Sequence, residues 1–335
     1  MENKVKNIGV LTSGGDAPGM NAAVRSVTRA ALSCGIKVTG IRKGFFGLLS
    51  SQMEELGLRS VSNTLQNGGT FLQTARCTEF NSKAGVDKAK MNCIAADIEG
   101  LVVCGGDGSF RGARDLSLAG VPCIGIPCTI DNDIACTDYT IGFDTAVNTV
   151  TQIMDKLRDT SQSHDRCSVI EVMGRRCGDI AMQAAVCGGA VSALIPEMGV
   201  IDLERDVISR MKRTLSAGKN HFIVIVAEGV VAEQKLDGSP MTAGAIARYI
   251  ESQTKIESRD TIIGHIQRGG SPTARDRIVA SQMGYHAVQL LRQGIGNRVV
   301  AMRGDKIVDI DILEALGMKK EEDKEFQKMM REISI

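Results

Sequence analysis

Short apolar runs alternate along this chain with longer stretches in which apolar residues recur every three or four positions. The short runs predict buried strands, and the longer stretches predict amphipathic helices. Strands are predicted at 8–11, 38–41, 101–104, 123–126, 168–173, 222–227, 261–264 and 299–302. Helices are predicted at 21–34, 145–158, 181–187, 203–215, 243–254 and 274–292. This alternation predicts an α/β fold with mostly parallel sheets flanked by helices.

The length of 335 residues exceeds what one ordinary core holds, so two α/β lobes are expected. A second lobe is expected to begin near Phe143, because the strands at 168–173 and 222–227 need covering helices of their own. From Lys319 the chain is rich in lysine and glutamate, with Phe326 and Met330 at helical spacing. That tail predicts a terminal amphipathic helix docked on a lobe.

Composition narrows the class of protein. Hydrophobic residues make up 43% and charged residues 24%, and 37 glycines against 6 prolines favour tight turns over disordered linkers. A net charge of +1 provides no global attraction to nucleic acid or to a membrane, so small anions are the expected partners. The 10 cysteines include no Cys-x-x-Cys pair, and no membrane span or signal segment is evident. A reducing cytoplasm is the expected location.

Three polar loops come directly after predicted strands. Loop 12–21 is rich in glycine and precedes the first helix, which suits phosphate binding by backbone amides at a helix N-terminus. Loop 105–109 places Asp107 between glycines, and loop 129–133 carries Asp131 and Asp133. Carboxylates beside glycines suit magnesium and phosphate chemistry. Taken singly, each loop also fits a plain turn or a helix cap.

Loop 129–133 supplies the candidate base. With the loop taken as extended, Asp131 and Asp133 are predicted to face opposite sides, so that one could meet the reacting centre while the other orients the loop or a metal. Asp131 is the predicted general base.

Arginines cluster just past strands or in glycine-rich loops, where packing gives no reason for a surface charge. Clamps for phosphate oxygens explain them as a group, although any one could be a surface salt bridge. They are Arg76, Arg166, Arg175, Arg259 and Arg268. Loop 264–272 adds His265; with only 4 histidines and no helical metal spacing, a neutral hydrogen-bonding role is favoured over zinc.

Seven ordered segments together resemble the bacterial 6-phosphofructokinases over nearly the whole chain. They are 12–21, 75–76, 105–109, 129–133, 138–146, 173–175 and 264–272. The resemblance implies a glycolytic kinase that transfers the γ-phosphoryl group of MgATP to the 1-hydroxyl of fructose 6-phosphate. It also implies a nucleotide-binding lobe at 1–142 plus 267–317 and a sugar-phosphate-binding lobe at 143–266 plus 318–335.

The resemblance assigns roles residue by residue. Asp131 would accept the hydroxyl proton, Asp107 would bind Mg²⁺, and Arg76, Thr129 and Arg175 would hold the moving phosphoryl group. The implied ATP contacts are Gly15, Arg76, Cys77, Gly106, Asp107, Gly108 and Ser109. The implied sugar-phosphate contacts are Thr129, Ile130, Asp131, Arg166, Met173, Gly174, Arg175, Glu228, Arg259, His265, Ile266, Gln267 and Arg268. Arg166 and Arg259 would reach in from a neighbouring subunit, which implies a homotetramer with shared sites.

Departures from the family concern the donor and the effector. Pyrophosphate-using relatives have aspartate where Gly108 stands and lysine where Cys128 stands; small neutral residues at both positions favour ATP. The family's effector site binds nucleoside diphosphate or phosphoenolpyruvate, and four basic residues match it: Arg25, Arg29, Arg158 and Lys219. Val191 replaces its magnesium-binding glutamate, and Ala217 and Asn220 replace lysines. Weakened ADP activation with retained anion binding is expected.

Three other hypotheses remain open from the sequence. A pyrophosphate-dependent phosphofructokinase is the nearest, and donor assays separate it. A regulatory paralogue that binds sugar phosphate without turnover is suggested by Val191 and Cys128. A different non-Walker nucleotide kinase would share the loop at 105–109 but leave the segments at 129 and 264 unexplained.

Overall fold

The computed structural model describes residues 3–334, so positions 1, 2 and 335 of the predicted lobes lie outside the described residues. The chain forms two compact units. Unit 1 comprises Met1–Ile130, Ile134–Thr145 and Arg268–Lys320, and unit 2 comprises Asp131–Asp133, Ala146–Gln267 and Glu321–Ile335. The chain therefore changes unit after residues 130, 133, 145, 267 and 320, where the sequence predicts changes after 142, 266 and 317.

The strands and helices reproduce the alternation of the sequence. The strands are β1 (Asn7–Thr12), β2 (Lys37–Ile41), β3 (Met53–Glu55), β4 (Gly100–Gly105), β5 (Cys123–Pro127), β6 (Cys167–Val172), β7 (Ser192–Leu194), β8 (Phe222–Ala227), β9 (Lys235–Leu236), β10 (Ser239–Pro240), β11 (Ser258–Ile262), β12 (Arg298–Arg303) and β13 (Lys306–Asp311). The helices are α1 (Met20–Ser33), α2 (Gly44–Leu49), α3 (Lys83–Ala95), α4 (Asp107–Leu118), α5 (Phe143–His164), α6 (Asp179–Gly188), α7 (Ser209–Ser216), α8 (Glu228–Glu233), α9 (Ala243–Thr254), α10 (Ala274–Arg292), α11 (Ile312–Gly317) and α12 (Lys324–Ile333).

Unit 1 is built on a seven-stranded sheet in the order β13-β12-β5-β4-β1-β2-β3. Its five inner strands run parallel, and the edge strands β13 and β3 are antiparallel. Strands β4 and β5 are buried along their whole length, which explains their unbroken apolar runs. The carboxyl ends of β1, β4 and β5 therefore lead into the three polar loops at one edge of the sheet.

Unit 2 contains a four-stranded parallel sheet in the order β11-β6-β8-β7, together with a small antiparallel hairpin of β9 and β10. Strand β8 is entirely buried, and its apolar side chains join those of α9 in one core. The α/β class with mostly parallel sheets is thus confirmed in both units.

Two local predictions were wrong, those of the strand at 261–264 and of an extended loop at 129–133. The strand predicted at 261–264 is β11 at Ser258–Ile262, and Gly264–Arg268 is a 3₁₀ turn. Strand β11 lies at the edge of its sheet, so it can include exposed polar residues. The apolar residues used for the prediction mark only the end of the strand, and the predicted range is therefore shifted towards the C-terminus. The helix predicted at 203–215 is confirmed, and its first part is a π-helical turn, Glu204–Ile208, that continues as α7. Loop 129–133 is not extended: Ile130 and Asp131 form a turn, and Asn132 has a φ of 51°.

No helix between residues 3 and 334 has both the length and the apolarity that a bilayer crossing requires.

Candidate active site

In unit 1 the glycine loop after β1 lies directly against the loop after β4. The Ser13 amide donates to the Cys104 carbonyl at 2.9 Å. A Cβ added at Gly105 would lie 2.5 Å from both the Ser13 carbonyl oxygen and Ser109 Oγ, so only glycine fits there. The two predicted phosphate-binding loops therefore form one continuous surface of backbone amides.

Helix α4 begins at Asp107, with Gly106 as its N-cap, so Asp107 belongs to the first turn rather than preceding the helix. Its side chain is 43% exposed and accepts a hydrogen bond from Arg111 Nε at 3.0 Å. A Cβ added at Gly108 would meet nothing within 4 Å. The first turn thus combines amides and an accessible carboxylate, which together can hold an anion and a hard cation.

Segment 73–77 is tied to the same loop. Thr12 Oγ1 donates to the Gln73 carbonyl at 3.0 Å, and Thr74 Oγ1 donates to the Gly14 carbonyl at 2.8 Å. Arg76 comes just after this anchor, is exposed, and has no carboxylate partner within the described part of the chain. Cys77 is half-buried and packs on the core of unit 1. Arg76 is therefore available to an anion on the glycine loop.

Arg268 lies on the glycine loop of unit 1. Its Nη1 donates to the Asp16 carbonyl at 3.1 Å, and a Cβ at Gly15 would lie 2.5 Å from that same nitrogen. The neighbouring residues of its predicted substrate set, His265, Ile266 and Gln267, belong to unit 2. The structure thus groups Arg268 with a predicted ATP contact instead of with its sequence neighbours.

Thr129 and Ile130 are buried at the end of β5 and are held by a second segment of unit 1. Thr140 Oγ1 donates to the Thr129 carbonyl at 2.7 Å, and the Ile141 amide donates to the Pro127 carbonyl at 2.9 Å. The position of the loop that precedes the predicted base is therefore fixed by residues 140 and 141.

Asp276 anchors that second segment, and sequence reasoning missed it. Its fully buried carboxylate accepts hydrogen bonds from the Tyr139 hydroxyl at 2.5 Å, the Gly142 amide at 2.7 Å and the Thr145 amide at 2.9 Å. Burial raises the pKa of Asp276, and the hydrogen bonds from Thr145 and Tyr139 oppose that rise. Thr273 caps α10 three residues earlier, so a Thr-x-x-Asp pattern was the available signal.

In unit 2 one arginine lies beside both aspartates of the loop. Arg175 Nε is 3.9 Å from Asp131 Oδ2, and Arg175 Nη1 is 3.6 Å from Asp133 Oδ2. Asp131 is 3% exposed, whereas the Arg175 side chain is 65% exposed. The predicted opposite orientation of the two aspartates was wrong: both carboxylates lie near one guanidinium, and side chains two positions apart would share a face even in an extended segment.

Asn132 is itself held by α6. Its Nδ2 donates to Asp179 Oδ2 at 2.8 Å, and the preceding Gly178 amide donates to Glu197 Oε1 at 2.7 Å. Ligand atoms of Cys177, Asp179 and Glu197 lie within 4.8 Å of one another. This group was not predicted, and Asp179 from it stabilises the strained residue next to Asp131.

Glu228, the first residue of α8, organises the predicted sugar-phosphate segment. Its Oε1 accepts from the Gly174 amide at 3.1 Å and from the Arg175 amide at 2.7 Å. The Met173 amide donates to the side-chain oxygen of the fully buried Gln267 at 3.2 Å. His265 and Ile266 are exposed on the same 3₁₀ turn as Gln267.

Arg166 and Arg259 are joined by a residue that sequence reasoning missed. Glu257 Oε2 accepts from Arg166 Nε at 2.7 Å, and Glu257 Oε1 pairs with Arg259 Nη2. These contacts, above all the hydrogen bond from Arg166, lower the pKa of Glu257. Arg259 in β11 and Arg166 just before β6 are therefore held side by side by one carboxylate. These are the two arginines predicted to reach into a neighbouring subunit.

The predicted effector residues divide between the units. Arg158 and Lys219 line a pocket of about 480 Å³ in unit 2, whose wall includes Val191 and a single carboxylate, Asp155. Burial, and then the nearby Arg158, lowers the pKa of Lys219. Arg25 and Arg29 lie on α1 in unit 1. The pocket therefore has the two predicted cations, Arg158 and Lys219, and an apolar side chain at position 191.

Comparison with known proteins gives consistent relatives. A family model described as phosphofructokinase matches residues 7–291. The chain is 52% identical over 324 residues to an ATP-dependent 6-phosphofructokinase of Clostridium botulinum, covering 96% of this chain and 97% of the relative. It is 51% identical over 331 residues to the Bacillus subtilis protein of the same name, covering 99% and 100%.

Solved structures agree in fold. Phosphofructokinase from Saccharomyces cerevisiae superposes with a TM-score of 0.86 at 32% identity, over 98% of this chain and 48% of that one, so this chain spans about half the yeast chain. A pyrophosphate-dependent phosphofructokinase from Marinobacter aquaeolei superposes with a TM-score of 0.83 at 21% identity, over 95% and 86%. The latter likeness concerns the fold alone.

Proposed function

We propose, since the chain belongs to the phosphofructokinase family, that it transfers the γ-phosphoryl group of MgATP to the 1-hydroxyl of fructose 6-phosphate, giving fructose 1,6-bisphosphate and ADP in glycolysis. The observation that carries the proposal beyond the family is in unit 2. There the buried Asp131 lies beside the exposed guanidinium of Arg175, and Glu228 holds the Arg175 amide. A carboxylate base next to an exposed cation suits phosphoryl transfer to a hydroxyl, because it supplies both a proton acceptor and a positive charge.

Unit 1 binds the nucleotide in this proposal. The amides around Gly15 and at the start of α4 hold phosphate oxygens, with Ser109 and Cys77 nearby, and Arg76 adds a cation. Asp107 fits magnesium, because Mg²⁺ takes one or two carboxylates and completes its shell with phosphates and water. When bound, the metal neutralises phosphate charge. Arg111 must then share or release the Asp107 carboxylate.

Unit 2 performs the proton transfer and holds the sugar phosphate. Asp131 accepts the proton of the 1-hydroxyl as that oxygen attacks phosphorus. Arg175 compensates the negative charge on the moving phosphoryl group, and the family resemblance gives Thr129 and Arg76 the same role. The amides and side chains at 173–175 and 265–267, with Glu228, position fructose 6-phosphate so that the attack is in line. Arg268, which belongs to unit 1, keeps the sugar-phosphate role that the family resemblance implies.

Subunits share the sugar site in this proposal. Arg166 and Arg259 bind the 6-phosphate of a neighbouring subunit within a homotetramer. The preformed Arg166–Glu257–Arg259 group supports this, because one carboxylate holds two guanidiniums in a fixed arrangement before the phosphate arrives.

Donor choice depends on two small positions. Gly108 leaves the first turn of α4 uncharged beyond Asp107, so a triphosphate meets no second carboxylate there. Cys128 is 1% exposed, and burial raises its thiol pKa well above the usual value, so it is neutral. A lysine at that buried position would have to find an anionic partner. ATP is therefore the donor.

Regulation is the finer part of the proposal. The pocket with Arg158 and Lys219, joined by Arg25 and Arg29 of another subunit, binds ADP or phosphoenolpyruvate. Val191 removes a metal ligand from it, so activation by Mg-ADP is weak while anion binding persists. A titration that produced strong Mg-ADP activation would contradict this. The cytoplasm is the proposed location, supported by ten cysteines with no disulfide within residues 3–334.

The test is a coupled assay for fructose 1,6-bisphosphate with ATP or pyrophosphate as donor. Asp131→Asn is expected to lower kcat with ATP by about 10²–10⁴-fold, the usual contribution of a general base. Asp237→Asn is the matched control, because Asp237 is an exposed turn residue of unit 2 with a φ of 49°, which asparagine tolerates. Turnover with pyrophosphate alone would overturn the proposal that ATP is the donor. The absence of turnover with either donor would favour a regulatory role for the protein.

A further inference from the structure

A second basic pocket in unit 2 has no part in the proposed reaction. It measures about 250 Å³ and is lined by the π-helical turn Glu204–Ile208, α7 and α12. Four guanidiniums surround it, belonging to Arg205, Arg210, Arg213 and Arg331. Four arginines around one small pocket need a source of negative charge nearby.

Among residues 3–334 the wall supplies one carboxylate, that of Asp206, and it is already engaged. Asp206 accepts from Arg205 Nε at 2.8 Å and from Arg205 Nη2 at 2.7 Å, a bidentate pair. Burial opposes ionisation of Asp206, but these hydrogen bonds prevail and its pKa is lowered. Asp206 therefore pairs directly with Arg205 and acts on Arg210 and Arg331 only from a greater distance, so four arginines face one wall carboxylate among residues 3–334.

Arg210, Arg213 and Arg331 form no salt bridge with any carboxylate of residues 3–334. Arg210 is half-buried, and its Nη1 donates to the Arg331 backbone carbonyl at 3.2 Å. Burial, then Arg331 and Arg213, lowers the pKa of Arg210. Gathering like charges in a partly desolvated pocket costs free energy that a bound anion would recover.

The local backbone is also unusual. The π-helical turn runs directly into α7, so Arg205 from the turn and Arg210 and Arg213 from the helix reach the same pocket. Single π-turns inside helices are rare and occur frequently at functional sites. Planar guanidiniums from several directions match the tetrahedral oxygens of phosphate.

We propose that this pocket binds a phosphate dianion, either inorganic phosphate or the phosphate group of a small ester, through Arg210, Arg213 and Arg331. The site is separate from the pocket with Arg158 and Lys219, since the two have only Ser334 in common. The proposal does not rest on the catalytic activity, so the two can fail independently.

The test is calorimetric titration of the full-length chain with inorganic phosphate, at constant ionic strength, with saturating MgADP and fructose 1,6-bisphosphate present to fill the other anion sites. One phosphate per chain is expected. Arg213→Gln and Arg210→Gln should each weaken its binding about tenfold or more, because each removes a charge-assisted hydrogen bond. Arg42→Gln, which removes an exposed arginine paired with Glu54 in unit 1, should leave binding unchanged.

Arg213 is exposed, so Arg213→Gln should leave the fold intact. Arg210→Gln also removes a hydrogen bond to α12, so a loss of binding in that variant alone could reflect a changed fold. Unchanged binding in both variants would overturn the proposal, as would a loss seen only with Arg158→Gln. Glycerol 3-phosphate is then titrated in the same way. Tighter binding of the ester identifies an ester as the ligand, tighter binding of inorganic phosphate identifies the free anion, and binding of neither overturns the site.

Discussion

Replacing Gly108 by aspartate should make the protein more stable and a worse ATP user. Gly108 is the second residue of α4, and a Cβ added there meets nothing within 4 Å. The side chain therefore enters open space, and no neighbouring atom has to move. Any loss of activity must then come from what the new group does to the substrate.

The stability gain has two parts. Aspartate is a better helix former than glycine by about 0.3 kcal/mol, and an acidic residue in the first turn adds about 0.3–1 kcal/mol through the helix dipole. An unfolding entropy of ~2.1 cal/mol/K per residue makes 1 kcal/mol worth about 1.4 °C in a chain of 335 residues. The melting temperature should therefore rise by about 1–2 °C.

The activity loss is electrostatic. A phosphate held at these amides would lie on the order of 5 Å from the new carboxylate, where like charges repel by about 3 kcal/mol at an effective dielectric constant near 20. That repulsion corresponds to a loss of roughly 10²-fold in kcat/KM for ATP. Pyrophosphate should not become a donor, because Cys128 remains.

The measurement combines calorimetry with the coupled assay across three variants. Gly108→Ala tests the added side chain alone, and Gly108→Asn tests the shape of aspartate without its charge; both should retain most ATP activity. Two results would refute the reasoning. One is ATP turnover by Gly108→Asp within twofold of the parent, and the other is an equal loss in Gly108→Ala, which would mean steric exclusion.

Three further variants probe other contacts. Asp276→Ala should lower the melting temperature by about 4–7 °C, because a broken buried network costs about 3–5 kcal/mol; a calorimetric shift below 1 °C would contradict this. Gly15→Ala should keep the melting temperature, since its methyl group meets only the flexible end of Arg268, yet raise the KM for fructose 6-phosphate about tenfold by displacing that guanidinium. In Lys219→Gln, the pKa of His221, which burial and then Lys219 now lower, should rise towards its ordinary value in an NMR titration; an unmoved His221 would show that Lys219 does not act on it.

Features that depend on local pattern were predicted from the sequence. The apolar runs of β4, β5 and β8 are buried on both faces, so their composition alone identifies them. The three polar loops after β1, β4 and β5 were predicted from the glycines and aspartates that follow these strands. Their position at one edge of the sheet followed because the carboxyl ends of parallel strands lie at a common edge. Each of these signals is carried by residues adjacent in the chain.

Features that were not predicted depend on segments distant in the chain. The turn of Asn132 is stabilised by Asp179, 47 positions away, and Arg268 meets Asp16 across 252 positions. Glu257 and Asp276 carry no motif that names their partners. Side-chain pairings of this kind arise from tertiary packing, which periodicity does not encode.

The strand order of unit 1 also determines what a ribosome exposes during synthesis. Strand β5 pairs with β12 on one side, yet about 170 residues separate them in the chain. At roughly 5–20 residues per second, β5 would wait about 10–35 s for that neighbour. Throughout this interval an apolar strand edge is open to pairing with other nascent chains. Translation speed between β5 and β12, more than the stability of the finished fold, should therefore govern how much of the protein is lost to aggregation.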